Sequence, residues 1–504
     1  MKVTDDLFQL IKSLDQSEKR YFKVFATMHI KGSDNNKYVK LFDAIDDQDE
    51  YSESEIRNQF AKEKFLNQLH VAKNYLYNTI LKSLRLYYSE KSKLNELMDT
   101  LRDVQILYDK SLFRQCKKHL DKAKKIAYAY EKYAQILAIL DWEKTLARTN
   151  AYTGTDEKEL LEYYSEHKKT TEKLNNINEY WKLSMQSFFL KMKQGNLRDK
   201  NELSKFKSVI SNSFLKSEEK ATTFTSKTLF YNIKGLYYHT VKDYKNLLGY
   251  CKKIVALLEA NPLLTKEDNY VSSLYNLLIV QIELKKNEDA LSTINKLRTL
   301  ESKSPVIQSR IFVTSYVTEL NLYLRSGDFD RGIPLVKEIE EGLIKFGDKI
   351  NKESEVLFYY NIAYLYFGIG DYENSLNWNN KIINDKELNI REDLQCFSRI
   401  LNLLIHYELK NYELIEYIVK STRRYLSNKN NLSKFEITVL NFLRKLISAS
   451  KEEEKNYIFN LWKKELRNIA EDILEIKVFE YFDFISWLES KIEGKKFQEI
   501  VKRK

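Results

Sequence analysis

The histidines are the first residues to test for chemistry. They stand at His29, His70, His119, His167, His239 and His406. No two are three or four positions apart, so no helix can present the paired edge that a two-histidine metal site needs. Cys116, Cys251 and Cys396 are too widely spaced for a C-x-x-C redox or zinc pair. H-E-x-x-H, G-x-S-x-G, G-x-G-x-x-G and G-x-x-x-x-G-K-[ST] are all missing. Carboxylates are plentiful, but no spacing singles out a pair for acid–base work. The run from Asp43 to Glu55 holds seven of them and no Lys or Arg. It lacks the spaced Asp/Asn, Gly and Glu of a calcium loop and reads as a solvated connector. The expectation is a non-catalytic protein with no metal and no cofactor.

Residues that could bind rather than react are more numerous. Arg114, Lys118, Lys122 and Lys125, with Lys132, fall within about 80° of one helix circumference at 100° per residue. Cys116, Leu120, Ala123 and Ala127 occupy the other side. Such a stripe could hold phosphates or an acidic partner, and its plainer reading is a solvated outer face. The net charge of +11 and pI near 9.0 invite nucleic acid. The joint abundance of Lys, Asn, Tyr, Ile and Phe, as an AT-rich genome produces, explains the same charge without it. From Ile56 to Lys93 there are eight basic residues and two acidic. Lys73 and Lys82 nevertheless point about 180° apart on a helix, which is no clean stripe for a DNA groove.

The elements that position these residues are helical. Twelve Gly and three Pro in 504 residues are too few for the turns of a mostly-β fold. At ~150 residues per domain the length fits about three domains or one long repeat array. With 43% hydrophobic residues the chain can bury a large core. No apolar run reaches the length of a membrane span, and the first residues have no signal-peptide pattern, so a cytoplasmic protein without membrane insertion is expected. Residues 1–94 read as a small helical bundle. Asp15 with Glu18, and Ser52 with Glu55, have capping-box spacing. Tyr38, Leu41, Phe42 and Ile45 form an apolar stripe, and a long helix runs from about Lys64 to Tyr88.

From about residue 95 a repeat appears. Short polar turns, usually with an aromatic, recur around Tyr244, Asn287, Phe329, Tyr372 and Tyr412, at spacings of 43, 42, 43 and 40. Another copy lies around Phe113, with weaker candidates near Thr155, Leu197 and Glu452. Each unit is helix, tight turn, helix, and a lone hairpin cannot bury its apolar face, so neighbours must stack. From about residue 471, Ile473, Ile476, Phe479, Phe482, Ile485 and Leu488 predict one capping helix, followed by a basic tail that frays.

The stretch Leu357–Asp385, LFYYNIAYLYFGIGDYENSLNWNNKIIND, resembles a tetratricopeptide repeat. Tyr359, Ala363, Tyr366, Tyr372 and Ser375 follow that family's order of aromatic and small residues. Gly235, Tyr238 and Tyr244 follow it in one copy, and Tyr316, Tyr323, Phe329 and Gly332 in another. Two features depart from the family: the period is about 42 rather than 34, and the unit-ending Pro is matched only loosely, at Pro262. The resemblance implies an all-α fold: a right-handed superhelical α-solenoid of eight or nine tetratricopeptide-like hairpins over 95–470, an N-terminal bundle at 1–94 and a cap with basic tail at 471–504. It also implies protein or peptide binding in a concave groove lined by first helices. That register places Asn232, His239, Tyr275, Asn321, Arg325, Tyr360, Tyr364 and Tyr407 at the groove. The family's carboxylate clamp of Lys, Arg and Asn has no counterpart beyond Arg325. The alternative is a transcriptional regulator with a nucleic-acid partner, because a small module ahead of such repeats resembles the layout of bacterial peptide-sensing regulators.

Overall fold

The computed structural model describes residues 6–29, 34–89, 92–149, 157–193, 200–385, 391–428, 433–471 and 476–503. The turn candidates near Thr155 and Leu197, Ile473, and the side chains of His29 and Ile476 lie outside what is described. Every described element is helical, with no strand among the described residues. The chain forms two compact units, residues 1–180 with 221–226, and residues 181–220 with 227–504.

Unit one opens with α1 (Asp6–Ser13), α2 (Gln16–His29), α3 (Asp34–Asp46), α4 (Glu53–Gln59) and α5 (Leu69–Ser89). They enclose a core of Phe22, Leu41, Phe42, Ile45, Ile56, Leu76 and Ile80. The Asp15 box closes from both sides: the Asp15 N–H donates to Glu18 at 2.7 Å and the Glu18 N–H to Asp15 at 2.8 Å. The Ser52 box closes by half. Ser52 accepts from the Glu55 N–H, but the Ser52 N–H donates to the Gln48 side chain at 3.1 Å. A second core follows, in which α6 (Lys93–Asp109), α7 (Phe113–Ala129) and α8 (Tyr133–Thr149) pack in sequence. Cys116, Leu120, Ala123 and Ala127 are its fully buried stripe. Helix α9 (Glu157–Lys193) belongs to unit one up to residue 180 and to unit two from residue 181, and α10 (Lys200–Ile210) belongs to unit two.

Unit two carries α11 (Phe224–Thr240), α12 (Tyr244–Ala260), α13 (Glu267–Glu283), α14 (Asn287–Arg298), α15 (Pro305–Ser326), α16 (Phe329–Phe346), α17 (Lys352–Ile369), α18 (Tyr372–Ile383), α19 (Glu392–Glu408), α20 (Tyr412–Asn428), α21 (Lys434–Ser448) and α22 (Glu452–Ala470). From α12 onward each helix packs on the next, as a solenoid requires.

One backbone device builds the turns. Ser111, Glu131, Lys242, Lys285, Gly327, Gly370 and Lys410 all have φ between 47° and 86°, the left-handed region. Each lies two residues before the next helix starts, at Phe113, Tyr133, Tyr244, Asn287, Phe329, Tyr372 and Tyr412. After the left-handed residue, in the turns other than that at Gly327, the next N–H bonds back to the carbonyl five positions earlier, as from Asp243 to Tyr238 (2.9 Å), Lys286 to Gln281 (2.8 Å) and Asp371 to Tyr366 (3.0 Å). This satisfies carbonyls that a helix end leaves open. Asp243 and Asp371 then cap the helix that follows.

The C-terminal stretch departs from the expected single helix. It is a 3-10 turn (Ile476–Glu480), then α23 (Phe484–Glu493) and α24 (Phe497–Val501). Asp483 accepts from the Ser486 N–H at 3.0 Å and so starts a new helix at Phe484. The basic tail is tied down rather than frayed: Lys502 pairs with Asp328 at 2.9 Å and Arg503 with Glu493 at 2.7 Å.

Candidate functional site

The residues predicted to line a groove fall on alternate helices: Asn232 and His239 on α11, Tyr275 on α13, Asn321 and Arg325 on α15, Tyr360 and Tyr364 on α17, and Tyr407 on α19. Helices α13, α15, α17 and α19 pack side by side in that order, skipping the second helix of each hairpin. Side chains one or two turns apart on these helices therefore share a face.

That face has an open half and a filled half. In the open half a cavity of about 500 Å³ brings Asn232, His239 and Tyr275 together. Its floor is apolar and buried, with Leu247, Cys251, Ile254 and Val280 each below a tenth exposed. Its rim is polar and exposed, with Asn232, His239, Tyr275 and Asn276 joined by Lys191 from α9. Burial pushes the Cys251 thiol up to about 11, so it fills space there and is no nucleophile at neutral pH. Desolvation, and then the nearby Lys191, lower the His239 imidazole, while Glu283 pulls weakly the other way.

A second cavity of about 520 Å³ adjoins the first, and Ile279 lines both. It brings together Asn321, Arg325, Tyr360 and Tyr364. Arg325 is already engaged, pairing with Glu283 at 2.6 Å. Asn361 beside it is 4% exposed, and its Nδ2 has no hydrogen-bond partner among the described residues. A buried amide donor without an acceptor is costly. The residue itself is among those that line the second cavity.

The filled half is occupied by the chain itself. The Tyr360 hydroxyl donates to the Tyr481 carbonyl at 3.3 Å, and the Asp483 N–H donates to the Tyr364 hydroxyl at 3.1 Å. Phe482 packs against Tyr364 at 4.8 Å between ring centroids, and Tyr481 stacks on Phe397 at 4.1 Å. Tyr407 meets Trp487 edge-on, and the Trp487 indole donates to Glu408 at 2.6 Å. Tyr360, Tyr364 and Tyr407 are therefore buried at 2%, 7% and 8%, not free at a groove. Burial raises all three phenols, which stay protonated.

The structure does not bring the remaining candidates to this face. Arg114, Lys118, Lys122 and Lys125 lie exposed along α7 in unit one, with Lys122 paired to Glu96 at 2.8 Å. No described cavity involves them. In the N-terminal module, Lys73 is 3% exposed and its ammonium meets Glu53 at 3.1 Å and the Tyr51 hydroxyl at 2.5 Å. It is thereby withdrawn from the outer side of α5, which shows His70, Asn74, Asn78, Lys82 and Arg85. α5 contains no carboxylate.

Sequence reasoning missed Lys191, Asn276 and Asn361. Lys191 precedes the repeats that gave the register. Asn276 and Asn361 each follow directly on a predicted groove tyrosine, so widening the register by one residue would have found them. Among the described residues, no helix is long and apolar enough to cross a membrane. No family model matches the chain, and no curated protein matches it.

Proposed function

We propose that the chain is a non-catalytic scaffold that recognises a protein or peptide segment along the first-helix face of unit two. In this reading the helices form a right-handed, tetratricopeptide-like superhelix acting in the cytoplasm, with no cofactor. The observation that carries it is the face's present occupant. Residues 481–483 lie on it, held by two backbone hydrogen bonds to tyrosine hydroxyls and by ring packing of Tyr481 and Phe482. A face that holds one chain segment by tyrosine hydroxyls and rings has the chemistry to hold another. The open half offers the same means through Asn232, Tyr275, Asn276, Asn321 and Asn361, whose Nδ2 has no partner among the described residues. Asn can both donate to and accept from a peptide backbone, and Tyr gives broad contact at low entropic cost.

The test is selection of a displayed random-peptide library on the full chain, against a variant carrying Asn232→Ala, Tyr275→Ala and Asn321→Ala. Peptides enriched on the parent and lost on the variant support the reading. Enrichment that the variant leaves unchanged overturns it.

A second reading is favoured by the withdrawal of Lys73. The outer side of α5 then shows Asn, His, Lys and Arg with no acid, the residue types that contact bases and phosphates. This supports nucleic-acid recognition by residues 1–94 as a transcriptional regulator, with the repeats as sensor. Steep loss of affinity with salt distinguishes it.

A further inference from the structure

The 500 Å³ cavity has a feature that peptide recognition alone does not require. Among the described residues, eighteen line it and none is Asp or Glu, in a chain with 72 carboxylates. Its charged group is Lys191, whose ammonium has no ion-pair partner among the described residues. His239 stands close enough for Lys191 to depress its imidazole. Glu283, the carboxylate that acts on His239 in the opposite sense, lines the neighbouring cavity and is tied to Arg325. Opposite this polar end the floor is hydrocarbon: Leu247, Ile254 and Val280, 5%, 6% and 2% exposed. The volume lies within the ~300–1,000 Å³ usual for small-ligand sites.

We propose that this cavity binds an organic anion with an apolar body, its charge set against Lys191 and His239 and its hydrocarbon or ring on the Leu247–Ile254–Val280 floor. An ammonium with no ion-pair partner among the described residues is free to take an anion at this rim, with the neutral imidazole of His239 as a further polar contact, and a charge-assisted hydrogen bond strengthens where water is partly excluded. The floor rewards only a ligand with apolar surface to bury. Two sources share this chemistry, a free apolar acid and the C-terminal residue of a peptide. The inference names the ligand class for one part of the face already proposed as a groove and rests on that reading for its location.

The experiment titrates the full chain with two fluorescent probes of similar shape. One is the anion 1-anilinonaphthalene-8-sulfonate and the other the neutral N-phenyl-1-naphthylamine. The anion is expected to bind saturably and at least about fivefold more tightly than the neutral probe. Lys191→Met is expected to weaken the anion about tenfold, as loss of one charge-assisted bond does, and to leave the neutral probe within about twofold. Lys191→Arg restores anion binding. Lys191 is exposed, so neither substitution threatens the fold. Displacement of the probe by decanoate identifies a free acid as the source. Displacement by N-acetyl-leucyl-phenylalanine, but not by its amide, identifies a chain terminus. Equal binding of both probes, anion binding unchanged in Lys191→Met, or displacement by neither competitor overturns the inference. Peptides still lost on the Asn232, Tyr275 and Asn321 variant would then leave the groove reading standing without it.

Discussion

The backbone N–H of Asp483 donates to the hydroxyl of Tyr364 at 3.1 Å, across 119 positions of the chain. Tyr364 is 7% exposed and already packed against Phe482 and Phe497. Tyr364→Phe keeps the ring and removes the acceptor, leaving the Asp483 N–H without this partner. That should cost about 1–3 kcal/mol, read as a lower urea midpoint. Tyr164→Phe, at a 67% exposed ring, is the control and should change nothing measurable.

The turns give a prediction with opposite signs. Lys285 holds φ of 54° and Gly370 φ of 86°, in equivalent turns. A side chain in the left-handed region costs about 1 kcal/mol that glycine avoids. Lys285→Gly should therefore stabilise the chain by a few tenths to about 1 kcal/mol, even though glycine usually weakens a fold. Gly370→Ala, with open space around its Cβ, should lose about 1 kcal/mol from backbone strain alone. Thermal midpoints of the two variants, moving apart, would check this.

The repeat was legible because those turns repeat. The polar turn residues around Tyr244, Phe329, Tyr372 and Tyr412 mark helix starts, and the structure places each helix start on that very residue. The filling of the groove was not legible. The register that puts Tyr360, Tyr364 and Tyr407 on an inner face is a local property of three helices. What covers them comes from more than 75 positions away, through Tyr481, Phe482 and Trp487. Nor could periodicity show that Asp483 starts a new helix: Phe479, Phe482, Ile485 and Leu488 keep helical spacing across the break. The Lys73–Lys82 opposition on α5 was legible, but burial decided its meaning.

The Lys73–Glu53 pair should matter more than a surface ion pair. Lys73 is 3% exposed, so removing its carboxylate leaves a buried charge whose remaining polar partner among the described residues is the Tyr51 hydroxyl. Glu53→Gln should cost about 1–3 kcal/mol, below the ~3–5 of a fully buried pair because Glu53 is partly solvated. Arg57 first, then Lys73, hold the Glu53 carboxyl below its ordinary range. The stabilisation is therefore present above the unfolded carboxyl pKa of ~4.3 and is lost as pH falls through the lower folded value. Urea midpoints at neutral and acid pH should show the parent–variant gap closing in acid.

His406 predicts a second pH dependence at a higher window. It is 7% exposed near the end of α19, and burial lowers its imidazole. A lowered base binds its proton less well folded than unfolded, so stability is full above about 6.5 and declines as pH falls below it. The thermal midpoint should drop between about pH 7.5 and about 5.5, before most carboxylates titrate. His406→Gln should make that drop smaller. An unchanged drop would assign it to other groups, His239 first.

The most direct test of segment recognition by the first-helix face is affinity capture from the protein's own cells. The tagged full chain and its Asn232→Ala, Tyr275→Ala, Asn321→Ala variant are compared at low and high salt, with and without nuclease. The groove account predicts a discrete protein partner that survives nuclease and high salt on the parent and is missing from the variant. Recovery of nucleic acid that is lost on raising salt, or the same partner on parent and variant alike, would contradict it.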